Sequence, residues 1–158
     1  MYKKVSKRRA LRFKVLQLLY AYNNNSQGFD FTYNEVVSEI TDEADREFIN
    51  NAVKYSIQNF DDYSQIIKNN IANWDEDRVA SIDKLIIMMG ITEFIHFDDI
   101  PTKVTINEML EVAKEFSTGQ SNKFVNGVLD TIYIKLNEQG VIKKAGRGLI
   151  NEKIKSER

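Results

Sequence analysis

Three guanidinium groups fall within one helical turn near the start of the chain, at Arg8, Arg9 and Arg12, with Lys7 directly before them. A guanidinium offers a planar fork of donors that fits phosphate oxygens, and its face can stack on a base. Fixed on one helix, these four cations would make a compact anion-binding patch. A solubilising basic end has the same composition, so at this point both readings stand. A second pairing, Lys123 with Phe124, falls in the first turn of a later helix, where a base and an aromatic ring suit phosphate contact and base stacking. Phe124 fits an apolar core stripe equally well.

Groups that make and break bonds are scarce. His96 is the only histidine, and the absence of cysteine removes disulfides, thiolate metal sites and cysteine nucleophiles. His96 sits beside Phe94, Phe97 and Pro101 with no second ligand type nearby, and reads as a structural histidine. Gly119, Gly127 and Gly140 do not have the spacing of a phosphate loop or a dinucleotide fingerprint. The sequence therefore predicts a non-enzymatic protein without metal or cofactor.

The elements that must hold the cations follow from spacing. The first fourteen residues carry seven bases and no acid, then continue VLQLLYAY, in which Leu11, Val15, Leu18, Leu19 and Tyr22 recur at helical intervals. The basic arm thus runs into an amphipathic helix, which the polar run NNNSQGFD should end. A short helix is expected over 33–40, and Thr41 is placed to cap a helix with Asp42 and Glu43 in its first turn. From Phe48 to Ile71 the apolar steps predict one long helix with a break at 59–62. Asp75 is a candidate cap for a central helix buried through Val79, Ile82, Leu85, Ile86, Met89 and Phe94. Pro101 marks a boundary, and Thr105 with Glu108 fits a capping box. Ser121 is placed to cap a last helix that Gly140 should stop. Gly127 inside that helix costs about 1 kcal/mol against alanine, which predicts close approach of another helix there. Beyond Gly140 the periodicity is weak, and a mobile or loosely packed basic tail is expected over 141–158.

Hydrophobic residues make up 42% and aromatics 11% of the 158 residues, which suits a folded globular chain. With one proline and seven glycines, the class is all-α: about six or seven helices forming a single domain over 1–140. The longest apolar run, LIIMMGI at 85–91, is too short to span a membrane, and no secretory-type apolar stretch follows the basic start, so a soluble, cytoplasmic protein is expected. Of 22 bases and 23 acids, residues 1–29 hold seven bases and no acid, and residues 140–158 hold six bases and two acids. The segment between has nine bases and twenty-one acids. This segregation suggests one surface for a polyanion and another for a basic partner.

Longer strings carry a resemblance. IPTKVTINEMLEVAKEF at 100–116 and SNKFVNGVLDTI at 121–132 resemble the two signature stretches of the NusB transcription antitermination family. RRALRFKVLQLLYAY is similar to that family's arginine-rich first helix, and residues 78–94 to its central helix. The chain departs from the pattern at Phe13, at Thr92 and Phe94 around a shared glutamate, and at Gln120. The resemblance implies two small helical bundles and a non-catalytic factor that binds boxA-type single-stranded RNA. It does so jointly with NusE, a basic ribosomal protein of the small subunit, within the RNA polymerase antitermination complex that supports ribosomal RNA transcription. On that analogy Lys7, Arg8, Arg9, Arg12, Lys123 and Phe124 would contact RNA. Tyr20, Asp77 and Asp83 would face NusE, giving a basic partner an acidic dock. The alternative is a helical protein-interaction module, or a homodimer, whose basic ends bind acidic protein surfaces.

Overall fold

Ser6 begins the first helix of the computed structural model, which describes residues 6–74 and 79–150. Its backbone is extended and its Oγ accepts the Arg9 N–H at 3.2 Å, serving an amide that a helix N-terminus otherwise leaves unpaired. Helix α1 then runs Lys7–Asn24 and buries Leu11, Val15, Leu16, Leu18 and Leu19. The asparagine run ends it as predicted, and a 3-10 turn at Ser26–Gly28 leads into α2, Phe29–Ser38. Helix α2 begins four residues before its expected start. Phe29 meets Tyr22 edge-on at 5.6 Å and Tyr33 at 5.9 Å, so ring contacts draw the end of the polar run into the helix.

Helix α3 spans Glu43–Gln58, and its cap is Asp42 rather than Thr41: Asp42 Oδ1 accepts the Asp45 N–H at 3.0 Å. Aspartate is the better cap of the two, and its charge suits the helix dipole. Helix α1 packs on both α2 and α3, and the compact unit they form ends at Gln58. The long helix expected from Phe48 is interrupted where the sequence allowed, for Asn59 leaves helical geometry at φ −112°, ψ 19° and α4 follows over Phe60–Asn69.

The second unit holds α4, α5 (Ser81–His96), α6 (Thr102–Phe116) and α7 (Ser121–Glu138). Every residue of α5 from Leu85 to Phe94 is buried, and α4, α6 and α7 all pack against it. A helix that is apolar all round must be covered all round. Its N-cap is Ala80, without a side-chain bond, and Asp75 lies outside the described residues. The glycine at the crossing of α5 and α7 is Gly90, where a Cβ would come within 2.6 Å of Leu129 Cδ2. Gly127, expected in that role, is exposed, and a Cβ there would meet nothing within 4 Å.

Thr105 does not cap α6. The helix begins three residues earlier behind Pro101, and Thr105 is buried within it, donating its hydroxyl to Glu93 Oε1 at 3.0 Å. A buried carboxylate outcompetes the backbone for that hydroxyl. Ser121 is likewise the first residue of α7 and not its cap. Gly140 stops α7 as predicted: at φ +72° it donates to Asn137 O at 3.1 Å while Val141 N donates to Leu136 O at 3.1 Å. This is the paired termination that a left-handed residue makes possible.

The segment after Gly140 is not loose. Lys144 Nζ donates to Glu93 O at 3.0 Å and Phe97 O at 2.6 Å, serving carbonyls at the end of α5. Ala145 N donates to Asp98 O at 3.0 Å, and Gly148 is buried so closely against that carbonyl that no Cβ could be placed there. Ile142 is buried too, and a 3-10 turn at Gly146–Leu149 closes the segment. Sequence periodicity missed it because isolated contacts anchor it, not a repeating stripe. The rest of the predicted tail lies outside the described residues.

Candidate nucleic-acid interface

The first turn of α1 carries Lys7, Arg8 and Arg9 and no acid. Cations there oppose the positive end of the helix dipole, so helix stability does not account for them. What holds them comes from α3. Lys7 Nζ lies 2.8 Å from Asp45 Oδ2 and 3.9 Å from Asp42 Oδ2, at the end of α3 where the dipole favours acids. The hydrogen bond that Lys7 donates to Asp45, and then the charges of Asp42 and Asp45, push the Lys7 ammonium above its ordinary range. Lys7 nonetheless remains largely in solvent.

Arg8 is exposed, and its Cζ sits 4.2 Å from the centroid of the Phe48 ring. Arg12, one turn on, has its Cζ 5.5 Å from the same centroid. Phe48 is buried on α3, so one ring braces two arginines. Arg12, also expected among the RNA contacts, is only 3% exposed. The sequence held the signal: Arg12 lies on the row of α1 that continues through Leu16 and Leu19, and that row faces inward. Arg9 is half-buried.

Lys123 is exposed in the first turn of α7, whereas Phe124 is 6% exposed and belongs to the buried row of that helix. Trp74 meets Phe124 edge-on, with ring centroids 5.0 Å apart, and is itself 40% exposed. The outward aromatic of this region is therefore Trp74, which has no base beside it in the sequence. Its signal was its uniqueness as the only tryptophan, set beside the polar residues Asn69, Asn70 and Asn73. Trp74 walls two clefts of the second unit. One, of about 240 Å³, is shared with Val79, Asp83, Gln120 and Phe124; the other, of about 260 Å³, lies against Asn70, Gly127 and Lys135.

The residues expected to face a protein partner are placed differently. Tyr20 is 44% exposed on α1. Asp83 is 5% exposed, with Ser117 Oγ donating to its Oδ1 at 2.6 Å and Ser121 Oγ donating to its Oδ2 at 2.9 Å. Its carboxylate ties the α6–α7 turn to the start of α5, so little of the acid expected to face NusE lies at the surface. Asp77 lies outside the described residues.

His96 Nε2 is 2.8 Å from the Tyr63 hydroxyl, a link between α5 and α4. Burial lowers the His96 pKa and raises Tyr63 to about 12, with the Asp62 charge adding to the latter. Among the described residues no three histidines or carboxylates converge as a metal site requires, and no helix is long and apolar enough to cross a membrane.

Comparison with known proteins agrees with this architecture. The transcription antitermination protein NusB of Chloroherpeton thalassium is 39% identical over 153 residues, covering 96% of this chain and 72% of that protein. A crystal form of T. maritima NusB superposes with a TM-score of 0.74 at 26% identity, over 84% of this chain and 94% of that one. The same fold occurs in a crystal structure of antitermination factors NusB and NusE with double-stranded RNA, at a TM-score of 0.71 and 22% identity over 81% and 96% of the two chains. Residues 7–133 match the NusB family, and the chain belongs to that family.

Proposed function

We propose that this chain is a non-catalytic, cytoplasmic RNA-binding factor of transcription antitermination, which takes up boxA-type single-stranded RNA together with NusE in support of ribosomal RNA transcription. The observation that carries this reading is the cluster of Lys7, Arg8 and Arg9 at the end of α1 where cations weaken a helix. Such a cluster makes sense as a ligand surface. The relatives named above supply the kind of ligand: one is called an antitermination protein, and another was crystallised with NusE and RNA.

In this reading Lys7, Arg8 and Arg9 hold phosphates, with Arg12 as an inner brace through Phe48. Lys123 adds a cation on α7, and Phe124 serves by supporting Trp74. Tyr20 is the partner-facing residue with surface to offer, while Asp83 shapes the turn beside Gln120.

The experiment is RNA affinity for a boxA strand against a scrambled strand of equal length, with and without NusE. Tighter boxA binding when NusE is added is expected, and Arg8→Ala with Arg9→Ala should weaken both states. The logarithmic salt dependence should become shallower by about 0.7 for each phosphate contact removed. Equal affinity for both strands in the presence of NusE would sink the boxA assignment. A protein complex indifferent to RNA would favour the helical interaction module.

A further inference from the structure

One cleft of the second unit has no role in the account above. It lies where α4 ends and runs along α7, lined by Asn70, Asn73, Trp74, Gly127, Thr131 and Lys135 among others. Among the described residues its lining holds one cation and no carboxylate. Lys135 is exposed but placed: its Nζ donates to Asn70 Oδ1 at 2.7 Å, while Asn70 Nδ2 donates to Ile66 O at 2.7 Å and so fixes which way the amide points. The partner of the ammonium is a neutral oxygen, so its charge remains available to an anion.

Gly127 lies beside it. No neighbouring helix needs the missing Cβ, and the Gly127 carbonyl is occupied by the Thr131 hydroxyl at 3.0 Å. The glycine therefore leaves this part of the cleft wall without a side chain. Trp74, held edge-on by Phe124, supplies an aromatic surface at one wall. An open cleft of about 260 Å³, an aromatic wall, amide groups and one fixed cation are together what a single unpaired nucleotide requires.

We propose that this cleft receives one nucleotide of the bound RNA, with its base against Trp74 over Gly127 and its phosphate on Lys135. The proposal rests on the RNA-binding reading above and extends it to residues that neither the basic arm nor the Lys123 pairing includes.

Trp74 is the only tryptophan, so its emission reports the cleft directly. The full chain is titrated with boxA single-stranded RNA, following both the anisotropy of labelled RNA and the emission of Trp74. Binding should quench Trp74. Lys135→Gln should weaken binding about threefold to tenfold and make the salt dependence shallower by about 0.7. Gly127→Leu fills the cleft with a good helix former at an open position, so the fold is kept. It should abolish the quench and weaken binding about tenfold. RNA bound with unchanged Trp74 emission, or bound at full strength by both variants, overturns the cleft assignment and leaves the antitermination reading intact. Failure of the unaltered chain to bind RNA, alone and with NusE, overturns both.

Discussion

The Arg8 guanidinium rests on the Phe48 ring with its Cζ 4.2 Å from the centroid, so α3 holds the basic arm through a π face as well as through carboxylates. Phe48→Leu removes that face and leaves every charge in place. RNA affinity should fall about threefold, the scale of one cation–π contact at a partly exposed site. The salt dependence should not change, because the number of phosphate contacts is the same. Anisotropy titrations at several salt concentrations separate the two; a changed salt slope would count against a positioning role for Phe48.

Lys7 is engaged by Asp45 in the free protein, and a phosphate would have to displace that carboxylate. Asp45→Asn should therefore tighten RNA binding by about twofold to fivefold, the range of an exposed ion pair. The gain should vanish in the double variant that also carries Lys7→Ala. Weaker binding in Asp45→Asn would mean that the pair aims Lys7 at the RNA and does not restrain it.

The two helical glycines should respond oppositely to alanine. Gly127→Ala should raise stability by up to about 1 kcal/mol, because the position is an open helix surface. Gly90→Ala should lower it by about 1–3 kcal/mol, since the new methyl meets Leu129, itself fully buried and closely surrounded. Denaturant midpoints of the two variants provide the comparison, and a stable Gly90→Ala would contradict the close crossing of α5 and α7.

Burial holds the His96 pKa below its ordinary value of 6.5, so as pH falls the unfolded chain takes up that proton first. The stability this group confers is complete above about pH 6.5 and is lost as pH drops through the lower folded value. His96→Gln keeps a polar group opposite Tyr63 and cannot titrate. Chemical denaturation between about pH 7 and pH 5 should show a smaller loss of stability in the variant.

Lys144 serves two carbonyls at the end of α5 from a part-buried position. Lys144→Met keeps the apolar stem and should cost about 1.5–3 kcal/mol, the range for hydrogen bonds from a charged donor. Amide exchange should quicken over 141–149 and at the end of α5, while α1 to α3 keep their protection. Unchanged exchange over 141–149 would mean that Gly148 and Ile142 suffice to dock the segment.

Most of the helices were legible because their buried stripes repeat: Leu11 to Leu19 in α1 and the unbroken apolar run of α5 could be read from spacing alone. Helix starts were less legible. Thr41, Thr105 and Ser121 all have the right chemistry for a cap, yet only tertiary context shows that Asp42 does the work in one case and that buried carboxylates claim the hydroxyl in the other two. The site was legible as a set of charges but not as a surface. Arg12 and Asp83 turn inward, and each sits in line with apolar neighbours on its own helix. Trp74 escaped notice because an isolated aromatic in a turn has no periodicity to betray it. The docked segment after Gly140 was illegible for the same reason.

The bonds from Lys144 also set an order of events during biosynthesis. Lys144 is made 51 residues after Glu93 and 47 after Phe97. Each of those carbonyls already accepts a backbone N–H, Glu93 O from Phe97 and Phe97 O from Ile100, so Lys144 adds a second donor to a helix end that α6 and α7 can pack against before it is made. The cost of closing so long a loop rises only slowly with its length, so the delay is one of timing more than of free energy. The segment over 141–149 thus closes over the end of α5 only after α6 and α7, which lie between them in the chain, have been made.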